Sequence, residues 1–134
     1  MLDKVKIIPR RRLSDERGWF VKPIDGNEDN LPSYTGEVYV TAATPGQTKG
    51  GDYSIKTNKW FTIIKGCAEL HLEDIESGET TKLCLSAEEP QTVYVPHKIA
   101  NLFKNTGDEE LILVAYADHK YNKEDIIPFK FKNI

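Results

Sequence analysis

The hydrophobic pattern of the chain consists of short runs of β-branched and aromatic residues, each ended by turn-forming residues. Such runs cover 5–8, 19–22, 37–43, 60–65, 68–73, 80–84, 92–95, 101–104 and 111–117. Gly26-Asn27, Pro45-Gly46, Ser77-Gly78 and Thr106-Gly107-Asp108 lie between them as turn signals. Within 68–73, Ala68, Leu70 and Leu72 alternate with Glu69, His71 and Glu73, the two-residue period of a strand with one buried face. Ser77-Gly78 then reads as the tip of a hairpin joining 68–73 to 80–84. No segment of helical length carries a 3.6-residue period. The pattern predicts an all-β chain of short strands, closed as a sandwich or a barrel.

A chain of 134 residues can bury one hydrophobic core and is too short for two, so residues 1–134 read as a single domain. The formal net charge of −3 gives no general attraction to nucleic acid or to an anionic membrane, and neither is expected as a partner. Arg10, Arg11 and Arg12 form one basic cluster, read as a solvated loop edge. No apolar stretch approaches the roughly 18 residues of a membrane span, and Met1-Leu2-Asp3-Lys4 does not open like a signal peptide. Cys67 and Cys84 lie in apolar runs and read as buried thiols of a reducing compartment, so a cytoplasmic location is expected.

Two stretches stand out as carriers of chemistry. One runs from Gly51 through Asp52, Ser54 and Lys59 to Gly66; the other runs from Pro96 through Lys98 and Asn101 to Asn105. In spacing they resemble the two motifs of the cupins, a family of double-stranded β-helix, or jelly-roll, barrels. The usual motifs set three histidines and a glutamate around a metal ion. Here Asp52 and Ser54 stand at the first two histidine positions, Lys59 at the glutamate and Asn101 at the last histidine. An ammonium repels a cation and only Asp52 is a good ligand, so no metal site is expected. Lys98 occupies a glycine position of the second motif, and the turn there is expected to be built differently.

About residues 14–122 resemble a cupin subgroup that works without metal, the dTDP-4-dehydrorhamnose 3,5-epimerase family. Asp15-Glu16-Arg17-Gly18-Trp19-Phe20 is similar to its Asp-x-Arg-Gly-x-Phe opening, and Lys49-Gly50-Gly51-Asp52 falls where the family has Arg-Gly-x-His. Lys59 keeps the spacing to Gly66 of the family's active-site lysine, and the stretch 93–103 resembles its Ile-Pro-x-Gly-x-Ala-His-Gly-Phe segment. The resemblance implies removal of a proton next to the 4-keto group of a nucleotide-linked 6-deoxyhexose, stabilisation of the enolate, and reprotonation from the opposite face.

It further implies Lys59 as the cation beside the carbonyl oxygen, Asp52 at the position of the family's histidine base, and Tyr116 as the acid. A carboxylate with its ordinary pKa of about 4 is a weak base; burial would raise that value and a neighbouring Lys59 would lower it. Arg17 and Lys49 are the implied contacts to the nucleotide phosphates, and Asn101 and His119 complete the implied substrate contacts. The motif spacing puts Asp52 and Lys59 on adjoining strands facing one cavity. His71, His97 and Tyr53 read as structural.

The cupin domain at the C-terminal end of capsular polysaccharide reductases is similar over residues 51–66 and at Asn105-Thr106-Gly107-Asp108; the sugar 3,4-ketoisomerases are a looser relative. Together these likenesses imply an epimerase or isomerase of bacterial surface-polysaccharide sugar biosynthesis, with a small nucleotide sugar as its partner and no cofactor. The alternative is a non-catalytic sugar or nucleotide-sugar binding cupin that has lost its catalytic histidine. The family habit implies a homodimer, with the strand at 5–8 exchanged onto the partner.

Overall fold

The computed structural model describes residues 2–4, 7–29, 31–32, 34–132 and 134. Its strands form two antiparallel sheets of six and five strands. The larger is ordered β1 (Leu13–Asp15), β2 (Gly18–Ile24), β3 (Glu37–Ala43), β10 (Leu111–Ala117), β5 (Lys59–Lys65) and β8 (Thr92–Val95). The smaller is ordered β11 (Ile126–Pro128), β4 (Thr48–Ser54), β9 (Ile99–Asn105), β6 (Cys67–Asp74) and β7 (Thr80–Ser86). From β3 onward nearly every connection crosses between sheets, which is the jelly-roll winding. Two single turns of 3-10 helix, Leu2–Lys4 and Lys123–Asp125, are the only helical segments among the described residues. No helix among them is long and apolar enough to cross a membrane.

The inward faces of the two sheets meet in one core, where Phe61 of β5 and Phe103 of β9 pack edge to face at 4.9 Å. The taper of this core places the site. Strand β10 lies between β3 and β5, and its inward row reads Leu111, Leu113, Ala115, Ala117, all at most 2% exposed. Leucines fill one end of the barrel; alanines leave room at the other. Ala115 pairs with Tyr39 and Phe61, and Ala117 with Glu37 and Lys59. The long side chains flanking those alanines therefore share an open space instead of a packed layer.

The runs at 37–43, 92–95 and 111–117 are strands with those same bounds, and the hairpin tip forms where Ser77-Gly78 predicts it. There Gly78 takes φ 77° and its N–H donates to the Asp74 carbonyl at 2.7 Å. Three strands lie outside the hydrophobic runs: β1, β11 and the glycine-rich β4. Of the run at 5–8, expected to be exchanged onto a partner, Val5 and Lys6 lie outside the described residues, and Ile7 and Ile8 are exposed and in no strand of the single chain. Cys84 corrects an expectation. It is exposed, because Leu85 takes the inward position on β7 and turns its neighbour outward; Cys67 is half-buried, and both thiols are free.

Lys98, where the cupin motif has glycine, takes a left-handed turn. It adopts φ 65°, donates its N–H to the Ser54 carbonyl at 2.7 Å and accepts from Ile75 at 3.3 Å. A left-handed conformation costs a residue with a Cβ about 1–2 kcal/mol, partly offset by the greater freedom of glycine in the unfolded chain. Lys98→Gly is accordingly expected to stabilise the fold by about 0.5–1 kcal/mol, read as a raised midpoint in urea at unchanged slope. A lowered midpoint would show that the lysine side chain contributes more than its backbone costs.

Candidate functional site

A cavity of about 450 Å³ opens between the sheets at the alanine end of β10, within the size range of small-molecule sites. Tyr39 and Lys59 enter it from the larger sheet, and Lys49, Asp52 and Asn101 from the smaller one. The β1–β2 hairpin brings Asp15 and Arg17 to its rim.

A β-bulge explains how β4 supplies two charged groups three residues apart. Lys49 pairs with Phe103 and Asp52 with Asn101, and the register shifts by one residue between Gly50 and Asp52. Directly opposed residues share a face, so both side chains point inward with Phe103 and Asn101. In a regular strand Asp52 would point the other way. The bulge requires positive φ at two successive positions, 100° at Gly50 and 86° at Gly51, which only glycine adopts without strain. The Lys49-Gly50-Gly51-Asp52 tetrapeptide is thus a device for aiming Asp52 into the barrel.

Asp52 is raised above the ordinary carboxylate range, because burial disfavours its charge more than Lys59 favours it. The two groups share the cavity from opposite sheets; they are successive in the chain and not the adjoining strands that the motif spacing suggests. The Lys59 ammonium lies 6.0 Å from the centre of the Tyr39 ring. Burial pushes the Tyr39 phenol far above its usual value, and the carboxylates of Asp52 and Glu37 add to that. Level with Lys59, on the other side of Ala117, Glu37 is 5% exposed and accepts from the Lys22 ammonium at 2.9 Å and the Tyr121 N–H at 3.1 Å. A buried carboxylate so satisfied shapes the wall and leaves Asp52 as the less committed acid.

At the rim, the Arg17 guanidinium donates twice to Asp15, at 2.9 and 3.2 Å, which raises the arginine and lowers the carboxyl. Lys49 is lowered by burial and by the nearby Arg17 charge, with Asp15 opposing. Two cations held near each other against one carboxylate leave a net positive rim.

Among the residues singled out in the sequence, Asp52, Lys59, Lys49, Arg17 and Asn101 all line this cavity. Tyr116 does not. It lies in the outward row Val38, Tyr116, Trp60, Tyr94 across the larger sheet, its ring 5.5 Å from that of Trp60. The residue that faces inward at that level is its neighbour Ala115 or Ala117, so a one-residue shift separates inside from outside. His119 is also elsewhere, its Nδ1–H donating to the Asp118 carboxylate at 2.8 Å on the loop after β10. His71 bonds Glu69 and His97 bonds Asn58, both outside the barrel, and Tyr53 packs on Phe129. Tyr39, Glu37 and Lys22 are site residues that the motifs do not mark. For Glu37 and Tyr39 the signal is the alternation of Glu37, Tyr39 and Thr41 with Val38 and Val40 on β3; Lys22 lies on β2 and carries no such signal.

The residues at the cupin ligand positions do not fit a divalent ion. Asp52 offers one carboxylate, Asn101 an amide, Ser54 is buried, and Lys59 brings a positive charge. Among the described residues no three His, Cys, Asp or Glu side chains converge as a metal would require.

Residues 13–126 match the family model described as polysaccharide biosynthesis C-terminal domain. Over 129 residues the chain is 25% identical to the spore coat polysaccharide biosynthesis protein SpsL of Bacillus subtilis, covering 92% of this chain and 85% of that protein. Among solved structures it matches the capsular polysaccharide assembling protein CapF of Staphylococcus aureus with a TM-score of 0.81 at 20% identity. That match covers 93% of this chain but only 33% of CapF, so the chain spans about a third of that protein. Oxalate decarboxylase of B. subtilis matches with a TM-score of 0.73 at 19% identity, over 88% of this chain and 29% of that one. The fold is a cupin.

Proposed function

The chain belongs to the polysaccharide biosynthesis C-terminal domain family, and from that membership we propose that it moves a proton next to the keto group of a nucleotide-linked 4-keto-6-deoxyhexose, as an epimerase or isomerase. The observation that carries this reading is one cavity shared by a desolvated carboxylate and an ammonium on opposite walls, Asp52 and Lys59. The names of the spore coat and capsular relatives support the pathway, a surface polysaccharide.

In this reading Asp52 removes the α-proton, for which burial makes it a stronger base than an exposed carboxylate. Lys59 faces the carbonyl oxygen and offsets the charge that collects there as the enolate forms. Arg17 and Lys49 at the rim hold the diphosphate of the nucleotide, with Arg17 exchanging part of its bonding to Asp15 for phosphate oxygens. Asn101, opposite Asp52 on β9, donates to a sugar oxygen.

The chemistry proposed needs no metal, and a Lys59 ammonium beside Asp52 is incompatible with a bound dication. Elemental analysis after dialysis is expected to find less than about 0.1 equivalent of zinc, iron, manganese or nickel per chain. About one equivalent, retained, would contradict metal independence.

A second reading has one observation in its favour: Asp52 stands where the epimerase family that the motifs resemble carries histidine, so the barrel can bind a nucleotide sugar without turning it over. Incubation with a panel of dTDP- and UDP-linked 4-keto-6-deoxyhexoses, with product configuration read by NMR, separates the two. A new epimer or ketoisomer supports the enzyme; unchanged sugar with saturable binding supports the binding module.

A further inference from the structure

Reprotonation from the opposite face requires a donor on the wall across from Asp52, and Tyr116 is outside the barrel. We infer that Tyr39 is the catalytic acid of this site, delivering a proton to the face of the enolate turned away from Asp52. The inference rests on the proton-transfer reading above and assigns a group that the motifs do not mark.

The geometry supplies three reasons. Asp52 projects from β4 of the smaller sheet and Tyr39 from β3 of the larger, so a flat ring lying between the sheets presents one face to each. Packed sheets stand about 10 Å apart, which is the span of a ring with a hydrogen-bonding group on either side. Next, Tyr39 pairs with Ala115, whose small side chain leaves the phenol space to swing over the cavity floor. Finally, the Lys59 ammonium lies 6.0 Å from the centre of the Tyr39 ring, so the cation that faces the enolate oxygen also places the ring beside the reacting carbons. Tyr121 is the other tyrosine lining the cavity; it is 61% exposed, at the rim, where bulk water competes as a proton source.

The protons and charges balance. The Asp52 carboxylate takes the α-proton, breaking the C–H bond and leaving the electron pair as an enolate beside Lys59. The enolate carbon then takes the Tyr39 hydroxyl proton on its other face, leaving Asp52 protonated and Tyr39 as phenolate. The net charge of the assembly is the same at each stage. Burial opposes ionisation of Tyr39 most, with the Asp52 and Glu37 carboxylates adding to it, and the Asp52 part has been neutralised by the time the phenol must give up its proton. When the proton passes from Asp52 back to Tyr39 through solvent, that same repulsion favours the return and resets the site.

Tyr39→Phe keeps the ring packed on Phe20, at 5.1 Å, and removes only the hydroxyl. In D2O with dTDP- and UDP-linked 4-keto-6-deoxyhexoses, wild-type protein should give both solvent deuterium at the α-carbon and inverted sugar. Tyr39→Phe should keep deuterium incorporation with retained configuration within about threefold and lose inverted product by about a hundredfold or more. Tyr121→Phe should lose neither. Inversion by Tyr39→Phe at the wild-type rate, or equal loss of exchange and inversion in a folded variant, overturns the assignment of Tyr39 alone. No exchange by the wild type overturns the proton-transfer reading and the assignment with it.

Discussion

Lys59→Ala is expected to slow α-proton exchange by about a hundredfold or more while leaving nucleotide-sugar affinity within a few-fold. The ammonium faces a neutral carbonyl in the ground state and a charged oxygen as the enolate forms, so its attraction is felt mainly in the transition state. A hundredfold loss corresponds to about 2.7 kcal/mol of transition-state stabilisation, a usual magnitude for one group in a water-poor site. The cavity setting supports a large effect. Lys59 rises beside Ala117 in a barrel end closed below by Leu113 and Phe61, where the effective dielectric is low. Parallel loss of affinity and rate would instead make Lys59 a uniform binding group and favour the binding module.

Asp52→Asn separates catalysis from stability. The amide preserves shape and removes the base, and exchange should fall by about a hundredfold to ten-thousandfold. Stability should move the other way. The folded-state pKa of Asp52 is raised, so the native protein binds this proton more tightly than the unfolded chain does. Between the unfolded value near 3.8 and the higher folded value, stability from this group falls as pH rises, and above both the carboxylate is a net cost. Asp52→Asn removes that cost, so the variant should melt higher than wild type at neutral pH, with the gain vanishing in acid where Asp52 is protonated. For the same reason the wild-type kcat/KM should decline below a pH above the ordinary carboxylate range, since the base must be ionised to act. A variant that melts lower at pH 7 would show that Asp52 is held mainly by its attraction to Lys59.

How much of this could be read from the chain differs between the core and the site. Strands β3, β8 and β10 alternate or run apolar because one or both faces are buried, and their bounds are legible in the sequence. Strand β4 is not. Its order comes from pairing with β9 and β11 and from a Gly50-Gly51 bulge, neither of which leaves a hydrophobic trace. The same bulge explains why Asp52 was placed correctly by motif spacing although simple alternation from Lys49 would have turned it outward. Tyr116 shows the opposite case. Motif likeness locates the strand but not its facing, and the row Leu111, Leu113, Ala115, Ala117 takes every inward position. Tyr39 lay within a correctly bounded strand, yet an inward tyrosine reads as core until the alanines on β10 reveal a cavity beside it.

The central claim is that this barrel transfers protons at a carbon next to a ketone. Its most direct test is the mass of a nucleotide-linked 4-keto-6-deoxyhexose recovered from D2O after incubation with the metal-free wild-type protein. A gain of about one mass unit or more at the carbons flanking the ketone, at a rate proportional to protein and well above the rate without it, is the predicted result. Recovery of unlabelled sugar from every member of the dTDP- and UDP-linked panel, under conditions where binding is saturated, would contradict the claim.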